Sequence, residues 1–148
     1  MNLAQALKQK NRLAGELVRQ QQILQRENAR RSDSVSTVKR NEVWQNIQDL
    51  STKLGTLKGK ITTANIGIYP SLERMAELKA RIAFVSNLPK RDGEEISFVG
   101  HDQEKLVYTW SSYINQEACD VEVASLQEQI NKLQDEVDSY NATTEIDK

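Results

Sequence analysis

Apolar residues recur along much of this chain at alternating steps of four and three, the spacing that lines one face of an α-helix. The cleanest run is Val43, Ile47, Leu50, Leu54, Leu57, Ile61 and Ala64, which predicts a helix over about 41–64. A second run, Cys119, Val123, Leu126, Ile130, Leu133, Val137 and Tyr140, predicts one over about 115–140, with Asn115 placed to cap it. The first helix, about 2–30, has a less regular seam: Leu3, Leu7, Lys10, Ala14, Leu17, Gln21 and Leu24. A third, about 71–88, follows Pro70 and shows a broader apolar face through Leu72, Met75, Ala76, Leu78, Ile82, Ala83 and Val85, the face of the most buried element. Between the third and last helices the period changes. "ISFVG" and "KLVYTWSSYI" are rich in β-branched and aromatic residues and flank "HDQE", so a β-hairpin is expected over about 96–113.

The predicted fold is mainly α: long antiparallel helices forming a bundle or coiled coil, with one small hairpin inserted before the last helix. At 148 residues a single domain over 1–148 is the default expectation. Two thin seams are marginal as an isolated pair of helices, so the helices need further neighbours, in a bundle or an oligomer. A two-stranded ribbon is equally weak alone and has to pack on helices or pair with another chain's ribbon. That makes Phe98, Tyr108, Trp110 and Tyr113 the interface candidates and a second copy of the chain the expected partner.

Charge adds direction to this picture. The net charge is −1, yet residues 1–40 hold nine Lys/Arg against three Asp/Glu, while residues 92–148 hold three against fourteen. A basic first helix can contact nucleic acid. The favoured reading sets it against the acidic last helix, within one chain or between two, which makes nucleic acid the lesser alternative. Parallel association would place like charge on like, so antiparallel arrangements are favoured. No apolar run approaches the length of a membrane span, and the N-terminus lacks the apolar core of a secretory signal. No membrane partner is therefore expected. With one cysteine there is no internal disulfide, and a reducing cytoplasm is the simplest compartment.

Recognisable catalytic chemistry is missing from the pattern. The chain has one histidine, His101, no glycine-rich phosphate loop and no nucleophile elbow. One Cys and one His cannot make a zinc site within a chain. Glu73 and Glu77 share a helix face, the common arrangement of a solvated surface. Two uncharged clusters follow the regular seams, "ITTANIG" at 61–67 and "YNATTEI" at 140–146. Each reads as a helix stop, with Asn65 and Asn141 placed to take the left-handed conformation after the last turn. The alternative is a polar site where such stops converge, built from Asn65, Asn141, Thr143, Thr144 and Glu145, with His101 reaching it across an interface. No cofactor is required; a divalent metal is the one such a site would accept.

"MNLAQALKQKNRLAGEL", a second helix ending "ITTAN", an aromatic hairpin and a closing "NATTEI" together resemble a family of small bacterial helical proteins often labelled septicolysin. The resemblance covers most of the chain and implies an α-helical oligomer without an established activity. The family's closing motif is typically Asn-Trp-Thr-Thr-Glu, and Ala142 stands here in place of the Trp. The cytolytic implication of the label does not fit these residues, which offer neither an export signal nor a long amphipathic strand pair. The expectation is thus a non-enzymatic, homo-oligomeric scaffolding or binding protein, with metal or small-ligand binding and nucleic-acid binding as alternatives.

Overall fold

The computed structural model describes residues 1–146. Four helices and one hairpin follow in the order α1 (Leu3–Glu27), α2 (Arg40–Asn65), α3 (Tyr69–Asn87), β1 (Gly93–Val99), β2 (Glu104–Trp110) and α4 (Gln116–Thr143). This is the mainly helical architecture with an inserted hairpin that the apolar spacing predicts. The chain divides into two compact units, Met1–Tyr69 with the stretch from Asp138 onward, and Pro70–Val137.

In the first unit, α1 and α2 form an antiparallel helical hairpin. A capping box starts α1: the Gln5 amide donates to Asn2 Oδ1 at 2.9 Å, and the Asn2 amide donates to Gln5 Oε1 at 3.1 Å. The helix ends at Glu27, a turn earlier than the sequence suggests. Arg40 Nη1 reaches back from α2 to the Glu27 and Asn28 carbonyls at 3.4 and 3.3 Å, and Arg30 Nη2 donates to the Val35 carbonyl at 2.7 Å. These arginines satisfy helix-end and loop carbonyls, so the chain reverses there. At the opposite end Leu3, Ala6, Leu57, Ile61 and Ile146 form one buried cluster, with Leu13, Ala64 and Tyr140 packed around it.

The α2 seam is buried as its spacing predicts, at Val43, Ile47, Leu54, Leu57 and Ile61. The α1 seam is turned from the expected one. Leu3, Ala6 and Gln20 are its buried residues, whereas Gln21 is exposed. Gln20 tolerates burial because its amide donates to Glu16 Oε1 at 2.9 Å.

In the second unit, three contacts define an antiparallel α3–α4 pair. Ser71 Oγ donates to Glu136 Oε1 at 3.2 Å, Arg81 faces Glu122 at 3.5 Å, and the Cys119 thiol lies 3.7 Å from the Val85 carbonyl. The α4 seam is buried at Cys119, Leu126, Ile130 and Val137. Asn115 caps this helix, its Oδ1 accepting from the Ala118 amide at 2.8 Å. The α3 face is narrower than its sequence suggests. Only Ser71, Met75 and Val85 are buried on it, Ala76 and Ala83 are exposed, and Phe84 is 65% exposed. Two partner helices would be needed to cover so broad a face, and α4 covers one side of it.

The hairpin pairs Gly93 with Trp110 through to Val99 with Glu104, so it begins and ends three residues earlier than the expected 96–113. Its turn uses two left-handed residues, Gly100 (φ 80°) and Gln103 (φ 47°). Neither Asn65 nor Asn141 adopts that conformation. Asn65 is the last residue of α2 and the chain continues right-handed through Ile66, while α4 runs past Asn141 to Thr143. In place of the left-handed stops, α2 ends in local turns, with the Ile66 amide donating to the Thr63 carbonyl at 3.3 Å and the Ile68 amide to the Asn65 carbonyl at 3.1 Å. The α4 end is held by bonds to Met1 and Leu3.

Candidate functional site

Two places gather the residues that the sequence singles out. In the first unit, the polar segment after Tyr140 is drawn onto the start of the chain. The Leu3 amide donates to the Thr144 carbonyl at 2.8 Å, and the Ile146 amide to the Met1 carbonyl at 2.8 Å, a short antiparallel bridge centred on Asn2 and Glu145. Asn2 Nδ2 donates to the Ala142 carbonyl at 3.2 Å, and the Met1 ammonium lies 3.1 Å from the Glu145 carboxylate. Tyr140 Oη donates to the Ala64 carbonyl at 2.8 Å, which brings the end of α2 to the same place.

Thr143, Thr144 and Glu145 lie in this segment, which the Tyr140–Ala64 hydrogen bond links to the end of α2. Their groups are engaged in the fold itself. Thr143 Oγ1 donates to the Ser139 carbonyl at 2.9 Å, Thr144 contributes its backbone, and Glu145 pairs with the amino group. His101 lies exposed at the hairpin turn, in the other unit. Among the described residues no group of three or more His, Cys, Asp or Glu is arranged to hold a metal ion. Glu73 and Glu77 are exposed on α3.

The second place is the hairpin. Residues paired across the register share a face. One face therefore carries Ile96, Phe98, Lys105 and Val107; the other carries Val99, Leu106, Tyr108 and Trp110. Both faces are open: Phe98 is 64% exposed, Tyr108 50% and Trp110 44%, and Tyr113 just beyond β2 is fully exposed. Fixed polar contacts hold Trp110 in place. Its Nε1 donates to Glu95 Oε2 at 2.8 Å, and the Arg91 guanidinium stands 4.5 Å over its ring while pairing with Glu95 at 3.0 Å. The Trp110 hydrogen bond, with that of Arg91, holds the Glu95 carboxyl below the usual carboxylate range. The strand base is tied as well, with the Arg91 amide donating to Ser112 Oγ at 2.7 Å and the Ser112 amide to Asp92 Oδ1 at 2.8 Å. Arg91, Pro89, Trp110 and Tyr113 border an open cavity of about 500 Å³.

The Arg91–Trp110–Glu95 contact is not legible in the sequence, because the arginine precedes β1 and the tryptophan ends β2. Trp44, the other tryptophan, is 52% exposed and lines a cavity with Leu24 and Ile47 near the loop that joins α1 to α2. No helix among the described residues is long and apolar enough to cross a membrane. Comparison with protein families, with curated proteins and with solved structures finds no match.

Proposed function

We propose that the protein is a non-enzymatic scaffolding or binding component that works as a homo-oligomer, with the aromatic hairpin as a contact between copies. The observation that carries this is the exposure of apolar side chains on both hairpin faces. A two-stranded ribbon with neither face covered is at the margin of stability in water, and a partner surface would supply the missing burial. Aromatic residues held rigid before binding lose little entropy on docking, and the Arg91–Trp110–Glu95 contacts supply such rigidity. A second copy is the simplest occupant. Met1–Tyr69 holds twelve Lys/Arg against five Asp/Glu and Pro70–Val137 seven against thirteen, so each chain presents both signs to its twin. A cytoplasmic setting accords with the single buried thiol of Cys119.

The test is the mass of Phe98→Asp/Tyr108→Asp, which puts one charge on each hairpin face. The expected result is a smaller assembly than wild type with unchanged helical circular dichroism. An unchanged mass would remove the hairpin from the interface.

A further inference from the structure

Six cationic residues, Lys8, Lys10, Arg12, Lys53, Lys58 and Lys60, fall in residues 1–15 and 50–69, and those two stretches contain no Asp or Glu. Antiparallel pairing of α1 with α2 brings the two stretches together at one end of the first unit. Between them lies a groove of about 300 Å³ lined by Gln9, Leu13, Lys53, Thr56, Leu57 and Lys60, so that two of the six cations border it. Glu145 reaches this end too, but its carboxylate is held by the Met1 ammonium. A groove between two helices that sets Leu13 and Leu57 beside Lys53 and Lys60 has the form that accepts an acidic amphipathic helix.

The same chain supplies such a helix. On α4, opposite the buried seam, Glu117, Val121, Ala124, Glu128 and Asp135 recur at steps of four, three, four and seven and so share one face. All five are exposed, Val121 by 68%. This stripe combines the apolar Val121 and Ala124 with three carboxylates, of which Glu128 is paired with Lys132 at 3.1 Å, and so complements the groove.

We infer that the groove between α1 and α2 receives the acidic outer face of α4 from a second copy, reciprocally, so that two grooves and two α4 faces are used in one two-fold pair. The inference rests on the self-association reading only in naming a second copy as occupant; it uses a surface separate from the hairpin. Nucleic acid fits the groove less well. Stacking platforms for bases are absent from its walls, and Trp44 belongs to the cavity around Leu24 and Ile47. Contacts of this kind weaken with salt, whereas the hairpin contact, being apolar, does not.

Charge exchange in the full-length chain tests the pairing. Lys53→Glu/Thr56→Glu puts acid in the groove, and Glu128→Lys/Asp135→Lys puts base on the α4 face. All four positions are solvent-exposed on helices and tolerate these residues. Each variant alone should self-associate roughly ten-fold more weakly, by sedimentation at low salt. An equimolar mixture of the two should recover wild-type association, since every contact in the mixed pair joins opposite charges. Loss in each variant without recovery on mixing would overturn the pairing, and so would unchanged association in both. Salt-dependent binding of a labelled DNA duplex, lost in the groove variant while self-association persists, would assign the groove to nucleic acid instead. The Phe98→Asp/Tyr108→Asp protein reads the hairpin separately: its failure to dissociate leaves the charge-exchange result standing, and the reverse holds as well.

Discussion

The Tyr140 hydroxyl donates to the Ala64 backbone carbonyl at 2.8 Å, joining the last turns of α4 and α2 within the first unit. Ala64 sits at a helix end, where carbonyls lack an intrahelical partner, and the phenol supplies one. Removing only the hydroxyl, in Tyr140→Phe, should destabilise the protein by about 1 kcal/mol. Urea denaturation measures the difference.

Gly67 lies against the same phenol. A Cβ there would come within 2.5 Å of Tyr140 Oη and 3.2 Å of its Cζ. Gly67→Ala should therefore displace the hydroxyl and cost about 1 kcal/mol or more, the value of the lost hydrogen bond. In the Tyr140→Phe background most of that cost should disappear, because the closest atom is gone. A double-mutant cycle reads the coupling directly.

Leu3 and Leu126 are the largest side chains buried almost completely, one in each unit. Leu3→Ala and Leu126→Ala should each cost about 2–5 kcal/mol. Hydrogen exchange should show the first loosening α1 and the end of α2, and the second loosening α3 and α4.

Glu16 receives hydrogen bonds from Arg19 at 3.0 and 2.6 Å and from Gln20 at 2.9 Å. The Arg19 contact, with that of Gln20, pulls its carboxyl from 4.5 down to about 2. A depressed folded-state value means the stabilisation is complete above the unfolded-state value and is lost as pH falls from about 4.5 towards 2. A carbon-detected NMR titration should place the Glu16 midpoint near the lower figure, and Arg19→Gln should move it upward.

Cys119 is 3% exposed, and its thiol is directed at the Val85 carbonyl. A thiol reagent should leave it untouched in the native protein and modify it at the rate at which the α3–α4 pair opens. Rapid labelling under native conditions would contradict its placement.

Much of this fold could be read from local spacing. The α2 and α4 seams repeat without interruption, so their buried faces follow from the sequence alone. On α1, Leu3, Leu7, Leu13, Leu17, Ile23 and Leu24 spread over more than one face. The spacing then leaves the phase open, and burial of Ala6 and Gln20 is settled by where α2 lies. The polar end segment shows the other limit. "NATTEI" looks like a helix stop because Asn and Thr favour caps, yet its partners are Met1, Asn2 and Leu3, about as far away in sequence as the chain allows. No local signal reports a contact of that range. For the candidate surfaces the outcome divides similarly. The hairpin aromatics stand out by composition, while the groove depends on bringing Leu13 beside Lys53 and Leu57.

Native mass spectrometry of the full chain at micromolar concentration reads self-association without further assumptions. The expected mass is an even multiple of the 16.9 kDa chain, shifting toward smaller species as salt is raised and in the hairpin variant. A single species at 16.9 kDa under all conditions would contradict it.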